Sequence, residues 1–486
     1  MLEKLIFDHS RPGVRGAFLS PLDIPAQGVE ALVPAALRRF DTPFLPEVSE
    51  PEVVRHFTNL STLNHHVDKD FYPLGSCTMK YNPKLNDRLA ALPGFGLVHP
   101  LTPDEEAQGA LELLKTLECA LAEITGLPAV TLQPAAGAQG ELTAMLVTRA
   151  YHKSRGETRD EVIIPDSAHG TNPASVRIAG MKAVEIKSNA EGKVDPEALA
   201  KALGPRTAAV MLTNPNTLGI FETRIEEIAA AVHRAGSLLY LDGANMNALV
   251  GLVRPGEMGF DMMHLNLHKT FSTPHGGGGP GAGPIAVRED LRPFLPVPVI
   301  EERGGVYRLS YDRPLSVGRV HGFHGNFGVL VRALVYILSL GGPGLAAMTR
   351  NAILNANYLL AALREHYFVK YPGPCMHEFV LSAVEQKKHG VRAGDISKRL
   401  LDFGVHAPTT YFPLIVEEAL MIEPTESEPK PTLDRFIEIM RRIAREAAET
   451  PELVKGAPHT TPVARPDEAQ AARALKLRWT PGETRS

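Results

Sequence analysis

Leu265-Asn266-Leu267-His268-Lys269-Thr270 runs straight into Pro274-His275-Gly276-Gly277-Gly278-Gly279-Pro280-Gly281-Ala282-Gly283-Pro284. The apolar, strand-like start of this stretch delivers one lysine to the edge of a glycine-rich loop, where backbone can approach a ligand because no Cβ stands in the way. Upstream, Ser237-Leu238-Leu239-Tyr240-Leu241 reads as a second buried strand and ends in Asp242-Gly243-Ala244-Asn245. A lysine at one strand end and an acid at the next suit a pyridoxal phosphate site. Lys269 would bind the aldehyde covalently, and Asp242 would keep the pyridinium nitrogen protonated. Taken singly, a lysine after an apolar run is a solvated strand end and Asp-Gly is a turn. Only together, at the carboxyl ends of parallel strands, do they specify a ligand site.

The pattern around these strands sets the fold class. Val162-Ile163-Ile164, Ala208 to Leu212 and the Leu238 strand alternate with helical segments, including Glu222 to Ala235 stopped by Gly236. This βαβ rhythm predicts an α/β fold, a mostly parallel sheet between helices. Upstream, Ala110, Leu111, Leu114, Leu117, Leu121 and Ile124 fall at helical spacing until Gly126. The expected division is a proline-rich N-terminal arm over 1–75, a large domain over 76–335, a smaller α+β domain over 336–450 and a tail over 451–486.

Composition narrows the class. The chain has 486 residues, 44% hydrophobic and 22% charged, with a formal net charge of −4. That length predicts more than one domain, and the near-neutral balance gives no reason to expect nucleic acid or an anionic membrane as partner. The apolar stretch Gly328 to Leu340 is broken by Arg332 and falls short of the roughly 20 residues of a membrane span. No signal-peptide pattern opens the sequence. Cys77, Cys119 and Cys375 are widely spaced without a CxxC pair, which points to a reducing, cytoplasmic setting. His321 and His324 have no carboxylate at ligand spacing, so no metal is expected.

Further loops extend the site. Gln133-Pro134-Ala135-Ala136-Gly137-Ala138-Gln139-Gly140 precedes a helical run, so its N–H groups could hold a phosphate at a helix N-terminus. His169, in the loop after the Val162 strand, could stack on a pyridine ring. Thr213-Asn214-Pro215-Asn216-Thr217 follows a strand to the same sheet edge. Cys77 invites a redox role, against which stands the plainer reading of a small buried hydrophobe.

Longer strings carry a family resemblance. Phe71-Tyr72-Pro73-Leu74-Gly75-Ser76-Cys77-Thr78-Met79-Lys80-Tyr81-Asn82-Pro83, the His268-Lys269 segment, His406 to Thr410 and Met421 to Glu428 resemble the glycine cleavage system P-protein. The likeness runs from about residue 50 to about residue 450 and matches the catalytic half of the long single-chain form. The chain therefore resembles the lysine-bearing second subunit of the two-subunit form. The resemblance implies a fold-type-I pyridoxal phosphate enzyme that decarboxylates glycine, releases CO2 and passes the aminomethyl group to the lipoyl arm of the H protein. It implies Lys269, Asp242 and His169 as catalytic residues. Ala136, Gly137, Ala138, Gln139, Thr213, Ala244 and His268 would surround the cofactor, and a homologous first subunit would complete an α2β2 assembly. Where longer P-proteins often carry Asn-Ser, this chain has Ala135-Ala136, which leaves the phosphate to backbone N–H groups. A desulfurase or aminotransferase would share Lys269 and Asp242, and a non-catalytic assembly subunit would lack the lysine.

Overall fold

The computed structural model describes residues 4–41, 43–276 and 279–478. Gly277 and Gly278 of the glycine run, and 479–486 of the expected tail, lie outside the described residues. The chain divides into two units, Met1–His66 with Pro458–Ser486, and Val67–Ala457.

The larger unit is built on a seven-stranded sheet, in the order β1 (Ala129–Thr131), β7 (Ile285–Val287), β6 (Met262–Leu265), β5 (Leu238–Gly243), β4 (Thr207–Thr213), β2 (Glu161–Pro165), β3 (Lys182–Ile186). From β6 to β3 every neighbouring pair is parallel, whereas β7 runs antiparallel to both β1 and β6. Successive side chains of β4 and β5 feed opposite cores: Val210, Leu212, Leu239 and Leu241 enter one, Ala209, Met211, Leu238 and Tyr240 the other. That two-sided burial is why these strands read as continuous apolar runs rather than as alternating ones. Helix Gln108–Thr125 buries Leu111, Leu114, Leu117 and Leu121 on one face and ends at Gly126, whose φ of 70° suits a residue without Cβ.

Two expectations are adjusted. The strand before Lys269 stops at Leu265, and Lys269 sits on one helical turn, Leu267–Thr270, its N–H donating to the Asn266 carbonyl at 3.0 Å. The apolar stretch Gly328 to Leu340 lies within a longer helix, Phe327–Leu363, interrupted at Gly341 (φ 57°, ψ −179°), just before Pro343. By length and composition this helix could cross a membrane, yet half of its apolar window is buried within the fold. Leu330, Leu334 and Ile337 pack into the sheet core, and Arg332 pairs with Asp87. It is a core helix.

An antiparallel hairpin, β8 (Val299–Arg303) and β9 (Val306–Ser310), follows the main sheet. Beyond it a three-stranded antiparallel sheet, β10 (Phe379–Ser382), β12 (Ala419–Ile422) and β11 (Thr409–Thr410), packs against helices Ala393–Leu401 and Lys430–Glu449 around Phe379, Phe436 and Met440.

The smaller unit holds short helices and one longer helix, Glu50–Thr62, whose first turn is fixed by Ser49 N–H donating to Glu52 at 2.9 Å. Its leading segment leaves Phe18, Leu19, Leu22, Leu37 and Phe40 exposed.

Candidate active site

The parallel strands end together, and their carboxyl-terminal loops form a cleft. Lys269, Asp242, His169, Gly137, Ala138, Thr213 and Ala244 all line it. Ala136, Gln139 and His268 are not among its lining residues. Ala136 is the N-cap of helix Gly137–Ser154, and the Gln139 amide is engaged by the Ala135 N–H and the Val320 carbonyl. The His268 imidazole accepts from Ala282 N–H at 3.2 Å; burial, with Lys269 adding to it, pulls its pKa down to about 4.

Asp242 closes β5 and is 4% exposed. The parallel register sets His264 of β6 opposite it, with Asp242 Oδ1 3.6 Å from His264 Nε2. Desolvation holds His264 below the usual imidazole value although Asp242 opposes the shift, so His264 is a neutral ring against the carboxylate. Its Nδ1 is bonded to the Tyr240 hydroxyl.

His169 lies at the exposed mouth of the cleft, where partial desolvation lowers its pKa. Its Nδ1 meets the Thr171 hydroxyl at 2.9 Å, and Thr171 donates onward to Glu141 at 2.7 Å. Glu141 also accepts from Ser175, and burial, reinforced by Asp242, pushes its carboxyl up to about 7.

The glycines explain how helix and sheet come so close. A Cβ on Gly137 would stand 2.5 Å from Asn266 Oδ1, and one on Gly283 would stand 2.1 Å from the Ala136 carbonyl oxygen. The first N–H groups of helix Gly137–Ser154, which no helix can satisfy internally, are thereby held at the cleft. Thr213 Oγ1 and Asn266 Oδ1 are buried there without hydrogen-bond partners. An amine, a buried carboxylate, a helix N-terminus and unpartnered polar atoms in one cleft fit pyridoxal phosphate.

Residues that were not singled out beforehand complete the wall. Ser76, Glu141, Asn245, Asn266, His377 and Glu378 line the cleft, and Glu423 lies behind it, within 4.8 Å of His377 and Glu378. These come from six separate segments with no shared periodicity; Ser76, Asn245, Asn266 and Glu423 stand inside quoted strings, but nothing local marks them as wall residues. So tight a group invites a cation, but amide donors already occupy both carboxylates and Lys269 acts on them, so no metal is assigned. Cys77 has Lys269 within electrostatic reach, yet burial prevails and raises its thiol pKa.

Two family models match the sequence: "Glycine cleavage system P-protein" over residues 26–302 and "Glycine dehydrogenase, C-terminal domain" over residues 348–460. Proteins named "Probable glycine dehydrogenase (decarboxylating) subunit 2" match along nearly their whole length. That of Chlorobium chlorochromatii is 58% identical, covering 98% of this chain and 99% of its own. That of Halalkalibacterium halodurans is 57% identical, covering 98% of each. Among solved structures, an inhibitor-bound glycine decarboxylase (P-protein) of the glycine cleavage system superposes with a TM-score of 0.72 at 22% identity, over 85% of this chain and 94% of that one. A NifS-like protein superposes with a TM-score of 0.61 at 15% identity, over 77% and 99%. At such identities the two structures speak for the fold alone.

Proposed function

The chain belongs to the glycine cleavage system P-protein family, as its second subunit, and from that premise we propose how the cleft works. It is a pyridoxal-phosphate-dependent glycine dehydrogenase (decarboxylating). When bound, the cofactor supplies an electron-withdrawing ring that holds the electron pair left on glycine's α-carbon as CO2 departs. Everything else is the work of side chains and backbone.

Lys269 would hold the cofactor covalently, and its amine, when free, would be a local acid or base at glycine's α-carbon. Asp242, fixed by its strand and backed by the neutral His264, places a negative charge where a ring nitrogen must stay protonated. His169, oriented through Thr171, covers the ring face. The N–H groups of Gly137 and Ala138 would anchor the phosphate, with Thr213 and Ala244 beside the cofactor in the same cleft and Ala136, Gln139 and His268 set back from its wall. The observation that carries this reading is the convergence on one cleft of Lys269, from the turn after β6, and Asp242, from the end of the adjacent β5.

The partner implied by the words "subunit 2" in the relatives' names is, in this proposal, a homologous first subunit in an α2β2 assembly. The exposed apolar side chains from Phe18 to Phe40 support a covering partner. The aminomethyl group then passes to the lipoyl arm of the H protein. We keep the functional division into an arm (1–75), a large cofactor domain (76–335), a small domain (336–450) and a tail (451–486). Free Cys77, Cys119 and Cys375 suit a cytoplasmic setting.

Exchange of labelled bicarbonate into the carboxyl of glycine tests the reading, using the chain reconstituted with its partner, cofactor and lipoyl protein. Exchange that depends on Lys269 supports it; cofactor loading without any exchange would refute glycine as the substrate.

A further inference from the structure

Glu378 immediately precedes β10 and Glu423 immediately follows β12, and the antiparallel register pairs Phe379 with Ile422. That register sets the two carboxyl groups side by side, both buried. Their surroundings differ sharply. Glu423 accepts from Asn245 Nδ2 at 3.0 and 2.9 Å, from Asn247 Nδ2 at 3.4 Å and from Thr78 N–H at 3.1 Å. Among the described residues, Glu378 accepts only from Ser76 N–H, at 2.8 Å. Two carboxylates so close in a desolvated interior cannot both ionise, and hydrogen-bond donors favour the charged form. The amide donors therefore place the negative charge on Glu423 and leave the proton with Glu378. Burial and the Glu423 charge both hold the Glu378 carboxyl well above the usual range.

Glu378 also lines the cleft, as does His377, which is 1% exposed and has neither ring nitrogen hydrogen-bonded. His377 Nε2 is 3.7 Å from Glu378 Oε1. A buried imidazole without partners on a cleft wall awaits a polar ligand. Lys269 is the only lysine or arginine among the lining residues, and on this reading it is engaged with the cofactor.

We propose that the carboxylic acid of Glu378, paired with Glu423, is the hydrogen-bond donor that receives the carboxylate of glycine, in place of a cationic side chain. This rests on the glycine reading above. The chemistry favours a neutral donor, because the carboxylate loses its charge as it leaves as CO2. A guanidinium would stabilise the bound substrate more than the transition state. The titratable groups acting on Glu378 are Glu423 from the end of β12, Lys269 from the turn after β6, Cys77 from the loop before Thr78, and Cys375 and His377 from its own segment.

The test is the KM for glycine from neutral to alkaline pH in the reconstituted, cofactor-loaded enzyme, for wild type, Glu378→Gln and Glu423→Gln. Ionised Glu378 repels the substrate, so the wild-type KM should climb toward about tenfold per pH unit once Glu378 titrates. Glu378→Gln should have a flat profile, and Glu423→Gln, lacking the neighbouring charge, should begin its climb at lower pH. A wild-type profile in either variant would overturn the proposal, and Glu423→Gln decides it if Glu378→Gln does not load cofactor. No exchange by the wild type would instead overturn the glycine reading beneath it.

Discussion

Asp242 Oδ1 lies 3.6 Å from His264 Nε2, across the parallel pair β5 and β6. The distance is too long for a hydrogen bond, and His264 is fully buried and neutral. The ring therefore backs the carboxylate without offering it a cationic partner, which leaves Asp242 facing a ligand in the cleft. Asp242→Ala should lower glycine–bicarbonate exchange by about two to three orders of magnitude while the cofactor still loads, comparable to the loss of one preorganised electrostatic partner. Near-normal exchange at full loading would contradict the assigned role.

The glycine packing predicts an asymmetry. In Gly283→Ala the new methyl would meet the backbone of Ala136, which cannot swing away, and a loss of about 1–3 kcal/mol is expected. In Gly137→Ala the methyl would meet the Asn266 side chain, which can rotate. Denaturant midpoints should fall clearly for the first variant and little for the second; the reverse order would refute this account of the helix–sheet contact.

Glu141 gives a pH dependence of stability. Its carboxyl is raised from an ordinary value of 4.5 to about 7, so within that window the folded chain holds a proton that the unfolded chain releases. The associated stability is present below the window and is lost as pH rises through it, with a slope of at most about 1.4 kcal/mol per pH unit. Glu118 and Glu428 are raised to about 7 as well and contribute in the same direction. Glu141→Gln should therefore flatten the decline only in part, as followed by denaturation midpoints; an unchanged slope would show that Glu141 titrates normally.

The cysteines should differ in reactivity. Cys119 is exposed, Cys77 is partly buried with a raised thiol pKa, and Cys375 is buried with its thiol pushed up to about 12. Iodoacetamide at neutral pH should label Cys119 first and Cys375 last, since the thiolate is the nucleophile. Rapid labelling of Cys77 would show that the Lys269 charge outweighs burial there and would reopen a redox role.

Much of this molecule was legible because its signals are local. The apolar runs of β4 and β5 announce a sheet buried on both faces, and strand-end Asp242 and Lys269 announce the cleft between them. The antiparallel β7 was not legible, because Ile285-Ala286-Val287 is only three residues long and nothing in them sets strand direction. The one-turn helix under Lys269 was missed because Leu265 and Leu267 flank Asn266 in a strand-like alternation, while the chain turns just after it. The Glu378–Glu423 pair was hidden for a different reason. It exists only through the register of β10 on β12, a long-range pairing between segments that each look like ordinary strand ends.

The central claim is that Lys269 carries the cofactor, and the visible absorption spectrum of the purified chain with its partner subunit tests it most directly. Wild type loaded with pyridoxal phosphate should show the visible band of a lysine-bound cofactor, shifting when glycine is added, and Lys269→Ala should lack that band. A wild-type band and glycine response persisting in Lys269→Ala would contradict the claim.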